Sequence, residues 1–265
     1  MSQWSDYLLS EVESYEVSAD SMVLWYIGGA GFVVRTSRST VYIDPYFGPS
    51  ISPDWVRMIA VPIEPSAIRR VDLVVSTHEH EDHCDRMVVE HVGRSTQAMF
   101  MGPETSVTKA REWGFPSSRL VEMKPHMTKR VRDFAITALP ALDSHAEKAL
   151  TFMLEAGGIT VFHSGDSAYF NGFREFGEKW RVDVALLNLG RNPPGDTYYL
   201  TPCDVVRSAM DLGARTVIPM HWDLWKRVCE DPRLVKVIAD EWQAKIQVVV
   251  LRLGDKFEVQ RFSKT

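Results

Sequence analysis

Asp72-Leu-Val-Val-Ser-Thr-His78-Glu-His80-Glu-Asp82-His83 is the stretch on which the reading of this chain turns. Residues 72–76 form an apolar, β-branched run, the composition of a strand buried on both faces. The six residues that follow Thr77 hold three imidazoles and one carboxylate besides two glutamates. Buried polar groups need partners, so such a cluster at the end of a buried strand is costly unless it binds something, and a metal ion suits both donor types. If extended geometry persists through them, His78 and His80 project to the same side. Asp82 and His83 fall where the chain turns toward the next helix and face a neighbouring point, which makes room for one or two adjacent divalent metals.

Outward from this stretch, residues 22–27, 32–36 and 40–44 are short β-branched or aromatic runs separated by Gly- or Ser-rich turns, which predicts an N-terminal antiparallel meander. The spacing predicts helices over 84–92 and 103–113, the second opening on Pro103-Glu104, a proline and an acid suited to a first turn. Strands are expected at 97–101 and 134–139. Residues 150–163 read as a hairpin around Gly157-Gly158, a dipeptide free to adopt the positive φ of a tight turn. A strand at 183–189, a helix at 203–212 capped by Thr201, a strand at 216–220, a helix near 232–244 and a last strand at 246–252 complete the pattern. Strand clusters in both halves, each followed by helices, predict an α/β fold of two mixed sheets packed together with helices outside.

The chain of 265 residues, 45% apolar and 25% charged, suffices for one sizeable core and lacks linkers or repeats, so a single domain over residues 1–265 is expected. A formal net charge of −5 without a basic block argues against nucleic acid as a partner. Cys84, Cys203 and Cys229 are widely spaced and make neither a disulfide framework nor a Cys-x-x-Cys site, which points to the reducing cytoplasm. No apolar run approaches the ~20 residues of a membrane span, and no signal-like N-terminus is present.

His-x-His-x-Asp-His after a buried strand resembles the signature of the metallo-β-lactamase superfamily, whose fold is an αββα sandwich. The resemblance implies further ligand stations in chain order. Asp166, in His163-Ser-Gly-Asp166, matches the bridging aspartate. His221, in Val217-Ile-Pro-Met-His221-Trp-Asp223, matches the last histidine. Asp44, in Tyr42-Ile-Asp44-Pro45, matches an aspartate that supports the ligands. One station departs from the usual pattern: in Pro140-Ala-Leu-Asp143-Ser-His145, register favours Asp143 and zinc chemistry favours His145. An aspartate there adds a hard oxygen donor and leaves zinc and manganese both open. Within the superfamily, Ile27-Gly-Gly-Ala-Gly31, His163-Ser-Gly-Asp-Ser167, Gly190-Arg-Asn-Pro-Pro-Gly195 and the run from Val217 to Trp225 are similar to the L-ascorbate-6-phosphate lactonase-like branch.

The resemblance implies His78, His80 and Asp143 or His145 on one metal, Asp82, His83 and His221 on the other, and Asp166 shared. Asp82, Asp166 and His221 are the expected catalytic residues. A bound divalent cation lowers the pKa of water from about 15.7 to roughly 7 and polarises the oxygen under attack, so hydrolysis of a small ester is expected, with a lactone, including a sugar-phosphate lactone, first. Tyr46 and Phe47, Arg191 and Asn192, Tyr198 and Tyr199, and Trp222 and Trp225, on loops beside the strand ends, are the candidate substrate contacts, with Arg191 for an anionic group and Tyr46 and Trp222 foremost among the aromatics. The expected partners are a small molecule and further copies of the chain in a homo-oligomer, with no membrane or nucleic acid. Phosphodiester cleavage of the phospholipase-D-like type and iron-dependent sulfur dioxygenation are the alternatives on the same scaffold.

Overall fold

A computed structural model describes residues 3–261. In the first half, helix α1 (Gln3–Ser14) precedes the meander β1 (Ser21–Gly28), β2 (Gly31–Arg35) and β3 (Thr40–Ile43). A long loop then leads to β4 (Leu73–Val75), α2 (Arg86–Ser95), β5 (Met99–Gly102), α3 (Glu104–Glu112) and β6 (Leu120–Glu122). The second half opens with a meander, β7 (Thr128–Val131), β8 (Phe134–Pro140), β9 (Leu150–Ala156) and β10 (Ile159–His163). It continues through α4 (Gly172–Lys179), β11 (Val184–Asn188), α5 (Pro202–Asp211), β12 (Thr216–Met220), α6 (Arg233–Glu241), β13 (Gln247–Val248) and β14 (Lys256–Gln260).

Two seven-stranded sheets result, in the orders β14-β1-β2-β3-β4-β5-β6 and β13-β12-β11-β10-β9-β8-β7. Each sheet pairs antiparallel through its meander and parallel thereafter, the switch falling at β3–β4 in one and β10–β11 in the other. Alternation along each strand divides the apolar side chains between layers. Tyr26, Phe32, Val75, Phe152 and Leu186 fill the space between the sheets. Trp25, Tyr42 and Val74 face α1, α2 and α3, whereas Phe162, Leu187 and Val217 face α4, α5 and α6. The expected αββα sandwich is therefore observed. Parallel strands joined by helices end on one edge, and that edge carries the site.

Three features depart from the expectations. The terminal strand is shorter than 246–252, because β13 keeps only two residues beside β12; the chain then crosses through Gly254 to add β14 to β1 of the other sheet. The alternation Lys256-Phe-Glu-Val-Gln260, with Val259 inward, was the signal for it. Helix α2 starts at Arg86 rather than 84, since Asp85 caps it by accepting from the amides of Met87 and Val88. Helices α1 and α4 and strands β6 and β7 were not anticipated; α4, β6 and β7 are short, whereas α1 carries Leu8, Leu9 and Val12 on its buried face, a helical spacing that was the signal for it. No helix among the described residues is long and apolar enough to cross a membrane.

Phe152 is fully buried between the sheets. Its replacement by alanine is expected to lower stability by about 3–5 kcal/mol, read as a reduced urea midpoint; a loss under about 1 kcal/mol would show that the inter-sheet layer does not anchor the fold.

Candidate metal centre

The site begins where β3 and β4, parallel neighbours, end side by side. Asp44 follows β3 in a left-handed conformation, φ 45°, and accepts hydrogen bonds from the Thr77 amide (2.8 Å) and hydroxyl (2.7 Å). Its Oδ2 also lies 2.8 Å from His83 Nδ1. A carboxylate there orients the ring with Nδ1–H toward Asp44 and Nε2 toward the centre, the arrangement that fixes the tautomer of a metal-ligating histidine. After Thr77 the chain bends rather than continuing as a strand, and the amides of His83 and Cys84 both bond the His80 carbonyl. The extended geometry expected for His78 and His80 is thus absent. The two imidazoles meet nonetheless, through different ring atoms: His78 Nε2 lies 2.9 Å from His80 Nδ1.

The other sheet delivers Asp166 and His221. His163, the last residue of β10, is pinned between the Ala30 carbonyl (2.8 Å) and the Gly165 amide (3.1 Å), which orders the turn that presents Asp166. Gly165 has φ +53° and packs against Thr77, where an added Cβ would come within 2.9 Å of the threonine Cβ. His221 follows β12 at φ 68°, its amide bonded to the Gly29 carbonyl at 2.6 Å. Gly29 in turn donates to Asp223 Oδ1 (3.2 Å), which also accepts from the Tyr26 hydroxyl (2.7 Å). This accounts for the glycine-rich stretch 27–31: its backbone supports the turn that carries His221.

These loops converge on one centre. Asp166 Oδ2 lies 3.3 Å from His83 Nε2 and 3.6 Å from His221 Nε2, and Asp82 Oδ2 lies 3.4 Å from His221 Nε2. Two triplets, His78–His83–Asp166 and Asp82–His83–His221, have donor atoms all within 4.8 Å of one another. Asp143 turns toward the same group: Oδ1 accepts from the amides of His145 and Ala146, while buried Oδ2 has no partner. His83 Nε2, both ring nitrogens of His221 and Asp166 Oδ1 are likewise buried without hydrogen-bond partners. Unpaired imidazole and carboxylate atoms gathered in one buried cluster, with His83 Nε2 and His221 Nε2 both beside the Asp166 carboxylate, suit a divalent metal.

The charge distribution agrees. Burial lowers the affinity of His83 for a proton, yet Asp166, Asp82 and Asp44 around it prevail and hold its pKa well above the ordinary value. Burial and the neighbouring cationic His83 keep His78 well below the ordinary value, in the neutral form a ligand needs. Burial alone would raise Asp82 and Asp166, but the surrounding histidines hold both below the usual carboxylate range. The cluster is thus a concentration of carboxylate charge that attracts cations.

Above it lies a cavity of about 500 Å³. His80, Asp82, Asp143 and Asp166 face it from the cluster, and Trp55, Trp225, Tyr198 and Tyr199 are among its walls. Tyr199 also stacks on His221, ring centroids 5.0 Å apart.

Several expected roles change in this geometry. His145 is exposed, with its ring against Tyr198 on the cavity wall, centroids 4.4 Å apart, whereas Asp143 has a buried oxygen without a partner; neither belongs to the two triplets, and burial makes Asp143 the better placed. Arg191 is exposed and does not line the cavity. Tyr46 is buried behind Trp225, its hydroxyl on the Pro49 carbonyl, and Trp222 packs against the layer of α4, α5 and α6. Neither reaches the cavity lining. Sequence reasoning missed Arg227, whose guanidinium lies over the Trp55 ring (5.6 Å to the centroid) and lines the cavity. A lone arginine in a short turn carries no pattern by which to find it. Asn192 was expected to face substrate; instead its side chain binds the Tyr198 and Tyr199 amides and the Tyr199 carbonyl, shaping the loop that supplies both rings.

Residues 39–222 match the family described as "Beta-lactamase superfamily domain". The probable L-ascorbate-6-phosphate lactonase UlaG of Escherichia fergusonii is 29% identical over 288 residues, covering 92% of this chain and 80% of that protein; the protein of the same name from Escherichia coli SMS-3-5 is 29% identical with the same coverage. Among solved structures, Igni18, a metallo hydrolase from Ignicoccus hospitalis, aligns with TM-score 0.75 at 22% identity, covering 91% of this chain and 100% of that one. An isothiocyanate hydrolase from Delia radicum gut bacteria aligns with TM-score 0.76 at 16% identity, with the same coverage. These two likenesses concern the fold.

Asp44→Asn keeps the shape of the side chain but removes the charge that orients His83. The metal-stripped variant is expected to bind zinc ten- to a hundredfold more weakly than the unaltered chain by titration calorimetry. Equal affinities would mean that Asp44 serves only the strand-end turn.

Proposed function

We propose that this chain, which belongs to the β-lactamase superfamily and is a metal-dependent hydrolase, opens a small lactone that carries an anionic group. The observation that carries the reading is the group of partnerless, buried donor atoms of His83, Asp143, Asp166 and His221, gathered at a cavity of small-molecule size. The relatives described as probable L-ascorbate-6-phosphate lactonases support the lactone, and Arg227 supports the anionic group.

In this reading one hydrolase domain spans residues 1–265. His78, His80 and Asp143 would hold one divalent cation, Asp82, His83 and His221 a second, and Asp166 both, with zinc or manganese as the metal. A bound cation supplies an activated water at neutral pH and polarises the carbonyl under attack. The remaining tasks fall to the chain. Asp82, on the cavity wall, orients the attacking water. Trp55, Tyr198 and Tyr199 flank the ring and exclude bulk solvent, and Arg227 offers a planar fork of donors to a phosphate or carboxylate. Arg227 lies over the Trp55 ring on the cavity wall, where the edge of its guanidinium can meet such a group. Water oxygen bonds to the carbonyl carbon, the ring C–O bond breaks, and the proton lost by water ends on the departing ring oxygen, giving a hydroxy acid.

Metal-replete protein is expected to hydrolyse members of a lactone panel, to lose that activity on chelation and to recover it with zinc or manganese. Turnover of bis-(p-nitrophenyl) phosphate with no lactone hydrolysed would replace the lactonase reading by a phosphodiesterase. Arg227→Met is expected to raise KM for a phosphorylated lactone at least tenfold and to leave KM for a neutral lactone within about twofold, since a charge-assisted bond contributes ~1.5–3 kcal/mol. An equal change for both substrates would remove Arg227 from anion recognition.

A further inference from the structure

We infer that Trp225 is a positioning residue for Asp82, acting through its indole N–H. The inference rests on the reading of Asp82 as a metal ligand. Trp225 Nε1 donates to Asp82 Oδ2 at 2.7 Å, across 143 positions of sequence. That same oxygen lies 3.4 Å from His221 Nε2 and 3.8 Å from His83 Nε2, so the indole bond holds the atom that faces both imidazoles. A carboxylate can rotate about its last bond and offer one oxygen or two. A donor fixed on one oxygen limits that rotation. Indole suits the task because it only donates, carries no charge and does not compete for a cation.

The donor is itself held in place. Trp225 is 1% exposed, and its ring is flanked by Tyr46 and Trp55, with centroids 5.5 and 6.0 Å away. Its segment is tied to the long loop between β3 and β4 on both sides: the Met58 amide bonds the Leu224 carbonyl (2.8 Å), and the Lys226 amide bonds the Val56 carbonyl (3.0 Å). Arg57, in the same loop, lies over the Tyr46 ring and donates to the carbonyls of Gly48, Ile59 and Ala60, which winds the loop around its guanidinium. An indole that served only as wall would gain nothing from having its one polar atom aimed at a carboxylate of the cluster. The loop thus braces the segment whose indole bonds Asp82, and it supplies Ile51 and Trp55 to the cavity as well.

Titration calorimetry of the metal-stripped protein with zinc and with manganese tests this without reference to turnover. Trp225→Phe is expected to weaken cation binding ten- to a hundredfold, the range for partners that orient a ligand. Replacement of Trp225 by 3-benzothienylalanine keeps the bicyclic shape and exchanges N–H for sulfur; it should reproduce the loss with the thermal midpoint of the metal-free protein within a few degrees, which separates the donor from the packing. In an Asp82→Ala background, which removes the acceptor, the effect of Trp225→Phe should shrink to under about threefold, because coupled neighbours are non-additive. Unchanged affinity in the analogue, or an equal loss with and without Asp82, would overturn the proposal. Failure of the unaltered chain to bind either cation would instead defeat the metal-centre reading on which it depends.

Discussion

The hydrogen bonds between Asp44 and Thr77 are the constraint from which the centre follows. They join the ends of two adjacent parallel strands, and Thr77 reaches the second sheet too: its carbonyl accepts from the Leu150 amide at 2.9 Å, and its side chain fills the space beside Gly165. One threonine thus meets the carboxylate that orients His83, the strand that opens the β9–β10 hairpin and the turn that presents Asp166. Any residue other than glycine at 165 would have to displace it, and the displacement would be passed to Asp44. The two sheets are held in register at the edge where the polar side chains collect, so the apolar layer between them and the polar cluster at its end form one packing problem.

Strain marks the same edge. Asp44 and His221, each following an inner strand of its sheet, both adopt positive φ without the freedom of glycine. Such conformations cost on the order of 1–3 kcal/mol each and persist only where the surroundings over-determine them. The surroundings here are visible. The Asp44 amide bonds the Val75 carbonyl, and the His221 amide bonds the Gly29 carbonyl. The cost aims a side chain back over the strand end toward the centre, where a continuing strand would have carried it past.

Much of this was legible in the order of residues. A buried strand running into His78, His80, Asp82 and His83 would leave four polar side chains without partners unless a cation met them, and strands ending at Asp166 and His221 can be read from periodicity. The αββα layering follows from strand clusters that alternate with amphipathic helices. The substrate wall was less legible for a physical reason. Ligand identity depends on residue type, which is written in the chain, whereas a wall depends on which side of a loop faces inward, and no periodicity governs a loop. Tyr46 and Trp222 stand beside strand ends as expected and turn away; Trp55 and Arg227 lie in stretches without pattern and turn in. Asp143 and His145, two residues apart, differ only in that the turn buries an oxygen of the first and leaves the ring of the second exposed.

The balance of charge ties these observations together. Asp44, Asp82 and Asp166 surround His83, and burial should disfavour every ion among them. Bringing carboxylates so close in a desolvated place is unfavourable unless positive charge is supplied at the point where they converge. A protonated His83 supplies one such charge, but it directs its proton on Nε2 at oxygens that would otherwise be ligands and leaves both nitrogens of His221 unpartnered. A divalent cation supplies twice the charge and accepts electron pairs from imidazole and carboxylate alike, His83 Nε2 and His221 Nε2 among them. The donor set is therefore better completed by metal than by protonation, and for that reason binding and folding should reinforce one another at this edge of the sandwich.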